Sequence, residues 1–151
     1  MAAYGDGRWK EGRHGAASLC YDGIGGEALA WVAAHHARVG IRATLVTRGD
    51  EAIHATLAGR NWELASAPPD GTAAPAGAAE AQAAIAAVAE AGGWGIWRID
   101  AAALAAWGAD GHSRLLGWLG SQHARIWCAP RRDIAAWRDA QPPASSTTTP
   151  L

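Results

Sequence analysis

Short apolar runs, each closed by turn residues and followed by a stretch of helical character, recur along the whole chain. The first is 16–21 (AASLCY), ending at Asp22-Gly23. Then come 41–47 (IRATLVT), ending at Arg48-Gly49-Asp50, a brief 62–65 (WELA), 94–99 (WGIWRI), ending at Asp100, and 124–129 (ARIWCA). Runs of this length bounded by glycine and aspartate predict buried strands. Predicted helices lie between them. In 27–39, Ala28, Trp31, Val32 and His35 share one face and Gly40 follows as a stop; 51–58 has Asp50 as cap and Gly59 as end. Further helices are expected at 78–91, ended by Gly92-Gly93, at 112–123 with a separate short one over 101–107, and at 133–140. Residues 68–77 (PPDGTAAPAG) read as a loop. The alternation predicts one α/β domain over residues 1–140, with a mostly parallel sheet of about five strands, right-handed crossovers and flanking helices.

Composition sharpens this. With 151 residues the chain is long enough for one real core, but much of its 50 % apolar content is alanine, which fills little volume. Nine tryptophans, with no phenylalanine, are therefore expected to supply the bulk. A formal net charge of −1 with mixed signs argues against a nucleic-acid or anionic-membrane surface. The N-terminal residues 1–15 (MAAYGDGRWKEGRHG) hold no apolar core of signal-peptide length and no segment could span a bilayer, so a cytoplasmic location is the expectation. In a reducing compartment Cys20 and Cys128 are expected to be packed thiols rather than a disulfide. Residues 141–151 (QPPASSTTTPL) are low in complexity and read as a disordered tail.

Ligands in parallel α/β folds bind at the carboxyl ends of the strands. Those ends carry Asp22-Gly23, Arg48-Gly49, Ser66, Asp100 and the segment from Cys128 to Pro130. Two readings compete for the first. Gly23-x-Gly25-x-x-Ala28 matches the dinucleotide fingerprint, in which Gly23, Gly25 and Gly26 would let a pyrophosphate approach a helix N-terminus. Against it, the position expected to carry the ribose-binding acid is Thr47, and Asp22 sets a negative charge beside the phosphate.

The second reading makes Asp22 a site carboxylate. Residues 9–23 (WKEGRHGAASLCYDG) resemble the start of the polysaccharide deacetylase family, with Cys20, Tyr21 and Asp22 on the first three positions of its T-F-D-D-G motif. Gly40 to Val46 is similar to the family's G-I-K-A-T-F-F strand, and 59–66 (GRNWELAS) to the stretch leading into its histidine motif. The segment 92–100 (GGWGIWRID) resembles its penultimate strand, and 115–137 its last helix, strand and helix, including W-x-A-P. The resemblance runs in order over most of residues 9–138.

The resemblance implies a contracted deacetylase-type (β/α) barrel, and an activity that hydrolyses acetyl groups on carbohydrates with a divalent metal such as zinc. Such a metal acidifies water and polarises the carbonyl, with an acid and a base on either side. Carried over by position, the base is Asp22, but the ligand aspartate falls on Gly23 and the two ligand histidines on Ala67 and about Gly71. The acid histidine falls on Asp100. No cofactor is therefore expected, and the chain reads as a carbohydrate-binding or structural module that has lost the chemistry. Asp22 and Asp100 remain as a carboxylate pair able to split into acid and base. Trp94 and Trp97 point to opposite faces of a strand, so one is a candidate sugar platform at the rim. Six scattered histidines lack a metal spacing; His35 and His36, adjacent on a helix, point about 100° apart. Losing the barrel's middle would leave its last strands beside its first as an open sheet, whose edges make a homodimer an expectation.

Overall fold

The computed structural model describes residues 9–47, 52–68 and 70–141. After a 3-10 turn at Lys10–Gly12 the elements are β1 (Gly15–Asp22), α1 (Gly26–Val39), β2 (Thr44–Val46), α2 (Ala52–Gly59), β3 (Glu63–Ala65), β4 (Thr72–Ala73), α3 (Ala78–Glu90), β5 (Trp94–Asp100), α4 (Ala101–Ser121), β6 (Ile126–Cys128) and α5 (Arg131–Asp139). All strand pairs are parallel, in the order β3-β2-β1-β5-β4, with β6 also on β1. Because β5 pairs with β1 from Ala16 to Asp22, the other edge of β1 is shared. There β6 pairs with Gly15 to Ala17 and β2 with Cys20 to Asp22.

The period-2 alternation of β1 divides the molecule into two layers. Ala17, Leu19 and Tyr21 enter the main core with Leu29 and Val32 of α1, Leu57 of α2, Ile85 of α3 and Leu104, Leu115 and Leu119 of α4. Four helices thus cover one face of the sheet. Ala16 faces the other side, where Trp9, Trp127, Ala129 and Ile134 of α5 form a second, smaller cluster. Burial on both faces explains why β1 reads as a continuous apolar run. The tryptophans do supply bulk: Trp9, Trp62, Trp97, Trp107 and Trp127 are all buried.

The α/β class and the parallel sheet agree with expectation, and the details differ. There are six strands rather than five, since Thr72–Ala73, inside the predicted loop, pairs with Trp97 and Arg98 of β5. Two exposed residues leave no periodicity to read. Residues 41–43 stay outside β2, because the helix before them captures Ile41: its N–H donates to the His36 carbonyl, and its own carbonyl accepts from His36 Nδ1. The two helical pieces expected over 101–107 and 112–123 are present within α4, parted by a kink at Gly108, whose φ of 72° interrupts the helix. Arg48, the Asp50 cap and residues 142–151 lie outside the described residues.

Helix α5 begins at Arg131, earlier than the predicted 133, because neighbouring strands cap it. Pro130 has no side chain to do so. Instead Thr44 Oγ1 accepts from the Arg131 N–H (3.1 Å) and Glu63 Oε1 from the Arg132 N–H (3.0 Å). Glu63, only 6 % exposed, also accepts from Thr44 Oγ1 (2.9 Å) and from the Arg131 guanidinium (2.6 Å). The three hydrogen bonds that Glu63 accepts, at a helix N-terminus and beside a guanidinium, offset the cost of burying the carboxylate.

Candidate functional site

Asp22 and Asp100 close the two longest strands and are direct partners in the β1–β5 register. Adjacent strands lie about 4.8 Å apart, and register partners point to the same side of the sheet, so the two carboxylates emerge as neighbours. They lie on the α5 side, because Tyr21 and Ile99, one residue earlier on each strand, enter the main core. Arg98, exposed and two residues before Asp100, shares that face. Asp100 also caps α4, its Oδ1 accepting from the Ala103 N–H at 2.9 Å. The other oxygen of a capping carboxylate still has lone pairs to offer.

The glycines stand in the next turn. Gly23 takes φ +71°, Gly25 is the N-cap of α1 without a side-chain cap bond, and Gly26 is the first helical residue. A Cβ at any of the three would meet nothing within 4 Å, so only Gly23 is required by the backbone itself. Of the strand ends, the structure brings Asp22, Gly23 and Asp100 together.

The tryptophan expectation needs correction. Trp94 and Trp97 do face opposite ways, but neither reaches the rim. Trp94 opens β5 at its amino end, donates to Ser18 Oγ (3.1 Å) and packs edge-on against Trp9, while Trp97 is buried in the main core. Cys20 and Cys128 are free, with burial pushing their thiols up to about 11 and about 12. Both remain protonated at neutral pH, which withholds the nucleophilic thiolate.

Gly23, Ala67 and Gly71, standing where the resemblance puts metal ligands, offer no side-chain donor. Among the described residues no group of three or more His, Cys, Asp or Glu side chains is arranged to hold a metal ion. The residues present therefore do not fit a catalytic metal, and no metal-dependent step can be assigned to them.

One cluster escaped sequence reasoning. His36 Nδ1 meets the Ile41 carbonyl (3.0 Å), His36 Nε2 meets Tyr21 Oη (2.7 Å), Tyr21 Oη meets His112 Nε2 (2.7 Å), and His112 Nδ1 meets His35 Nδ1 (2.8 Å). A carbonyl only accepts, so His36 carries its proton on Nδ1 and Nε2 is bare. Tyr21 must then donate to His36 and accept from His112 Nε2–H, which leaves His112 Nδ1 to accept from His35. One carbonyl thereby sets the direction of four hydrogen bonds. Burial lowers His36 and His112 to about 3, lowers His35 as well, and raises Tyr21 well above its ordinary value. The chain is neutral throughout, and it ties α1 to α4 through β1.

That neutrality makes stability depend on acid. Folded, His36 and His112 resist protonation down to about pH 3; unfolded, each titrates at 6.5, so below 6.5 the unfolded state binds more protons. Their contribution is fully present above pH 6.5 and is lost as pH falls toward 3. Two such groups remove roughly 3 kcal/mol per pH unit once well below 6.5, against a total of about 5–15 kcal/mol. Urea titrations from pH 7 to 4 are expected to show a steep fall in unfolding free energy, largely abolished in the His36→Phe/His112→Leu double variant if that variant folds. A flat profile in the parent chain would contradict the neutral assignment.

Compared with models of known families, with curated proteins and with solved structures, the chain matches none. The rim therefore has to be read from its own geometry.

Proposed function

We propose that the chain is a contracted, metal-independent relative of the polysaccharide deacetylases that binds carbohydrate at the strand-end rim instead of hydrolysing it. The observation that carries this reading is the in-register pair Asp22 and Asp100 at the carboxyl ends of adjacent parallel strands, with Arg98 on the same face. Two neighbouring carboxylates accept hydrogen bonds from the vicinal hydroxyls of a sugar, and a guanidinium beside them donates to its oxygens. The strand order lends support. Read as β4-β5-β1-β2-β3, five strands follow the cyclic order of a barrel opened between β3 and β4, with four helices on one face, while β6 departs from that order by pairing with β1 on the edge β2 shares. The inner face of such a barrel corresponds to the side that carries Asp22, Arg98 and Asp100, while α5 with Trp9, Trp94, Trp127 and Trp137 fills the rest.

Calorimetry with chitobiose and chitotriose in EDTA tests the proposal. Binding is expected without metal, weakened about 10- to 100-fold by Asp22→Asn, the scale of one lost hydrogen bond to a charged group. Asp100→Asn should weaken it too while sparing the fold, since asparagine caps a helix as well as aspartate. Absence of binding contradicts the reading, as does zinc-dependent release of acetate.

One observation favours a second reading, the nucleotide one: α1 begins without a side-chain cap, in open space around Gly25 and Gly26. Asp22 and Glu27 set two carboxylates beside that end, which weakens it for a pyrophosphate. On this reading NADP or FAD raises the melting temperature and Gly25→Val abolishes the effect.

A further inference from the structure

A cleft of about 270 Å³ opens at the other end of the molecule, between α3, the end of α4 and the start of β6. Its α3 wall is a helical stripe that includes Gln82, Ala86 and Glu90; Trp118 and Gln122 come from the last turns of α4, and Arg125 precedes β6. The small side chains on α3 make the space, since larger ones at Ala86 or Ala83 would occupy it. His14 closes one end, its Nε2 bonded to the Glu90 carbonyl at 3.0 Å. Among the described residues the side chains of Gln82, Glu90 and Arg125 have no hydrogen-bond or ion-pair partner, so their full capacity is available to a ligand.

We infer that this cleft binds a single pyranose ring, at a site separate from the strand-end rim and independent of the function proposed there. The chemistry of the wall selects the class. An indole offers a flat apolar face to the C–H face of a sugar. Each glutamine amide both donates and accepts, and the arginine donates while the glutamate accepts. Hydroxyl groups, which do both, match such a mixed ring of partners on several sides. A planar aromatic acid would concentrate its polarity at one end and leave the other amides unpaired. Size selects the length: at 270 Å³ the cleft is below the roughly 300–1,000 Å³ of sites for drug-sized ligands, which excludes a dinucleotide or a long oligosaccharide from its interior. A terminal sugar unit or a monosaccharide fits.

The test is an amide and indole N–H NMR titration of the full chain with the methyl glycosides of glucose, N-acetylglucosamine and glucuronic acid. The expected result is a saturable millimolar shift of the Trp118 indole N–H and the Gln82 and Gln122 side-chain amides with at least one of them. Ala86→Leu, which fills the cleft with a good helix former, should abolish it, and Gln82→Ala should weaken it about tenfold. Gln82 is half-buried on the helix surface, so its variant keeps the test alive if Ala86→Leu perturbs folding. The Asp22→Asn/Asp100→Asn double variant should retain the shift, which separates this site from the rim. The inference is overturned if no glycoside gives a saturable shift at Trp118, or if the shift survives unchanged in both α3 variants.

Discussion

Replacing Tyr21 by phenylalanine is expected to destabilise the chain by about 2–6 kcal/mol, because it leaves two buried groups, His36 Nε2 and His112 Nε2–H, without their shared partner. The aromatic volume stays, so the cost is almost entirely polar. Both histidines are 0 % exposed and Tyr21 is 0 % exposed, so bulk water does not reach the vacated positions in the folded chain. The effect should appear as a melting temperature lower by roughly 10 °C. A loss below about 1 kcal/mol would mean that the hydroxyl bridges nothing of consequence.

The second large effect is expected at Glu63. Glu63→Ala leaves the Arg131 guanidinium without its partner and removes one of the two side-chain caps of α5, a loss of about 2–4 kcal/mol, less than for a fully buried ion pair because Arg131 is 33 % exposed. Glu63→Gln keeps an acceptor for the Arg132 N–H and should cost less. Exchanging both partners for apolar residues, as in Glu63→Leu/Arg131→Met, should recover part of the Glu63→Ala loss. Chemical denaturation of the three variants measures the differences. Equal losses in Glu63→Ala and Glu63→Gln would show that the charge, rather than the cap, holds α5 in place. The cluster of tryptophans between α5 and β1 would be the first packing to loosen.

The layers of the fold were legible because they depend on local periodicity. β1, α1, α3 and β5 were recognisable from their apolar spacing and glycine ends, and they build the main core. What escaped is decided by contacts distant in sequence. β4 is two residues long and exists only because β5 offers it an edge. The start of α5 is set by Thr44 and Glu63, whose nearest bonded partners in the helix are 87 and 68 residues away. His35 and His36, pointing apart on one helix, were unpromising as a pair, yet both join one chain because Tyr21 and His112 reach in from other elements. A histidine on the apolar face of α4, opposite a buried tyrosine on β1, was the available signal. The rim pair was legible in another way. Two aspartates ending apolar runs identify strand ends, and the parallel register then makes them neighbours. Neither Trp94 nor Trp97 serves the rim, because Trp94 lies at the amino end of β5 and the face that Trp97 presents is covered by the helices.

The carbohydrate site proposed at Asp22 and Asp100 needs no metal. Its most direct test is an amide NMR titration of the full chain with chitobiose in EDTA, read at the rim. The account predicts saturable shifts clustered at Gly23, Arg98, Asp100 and Ala101, and their loss in Asp22→Asn. Shifts that appear only after zinc is added, or no shifts at the rim under either condition, would contradict it.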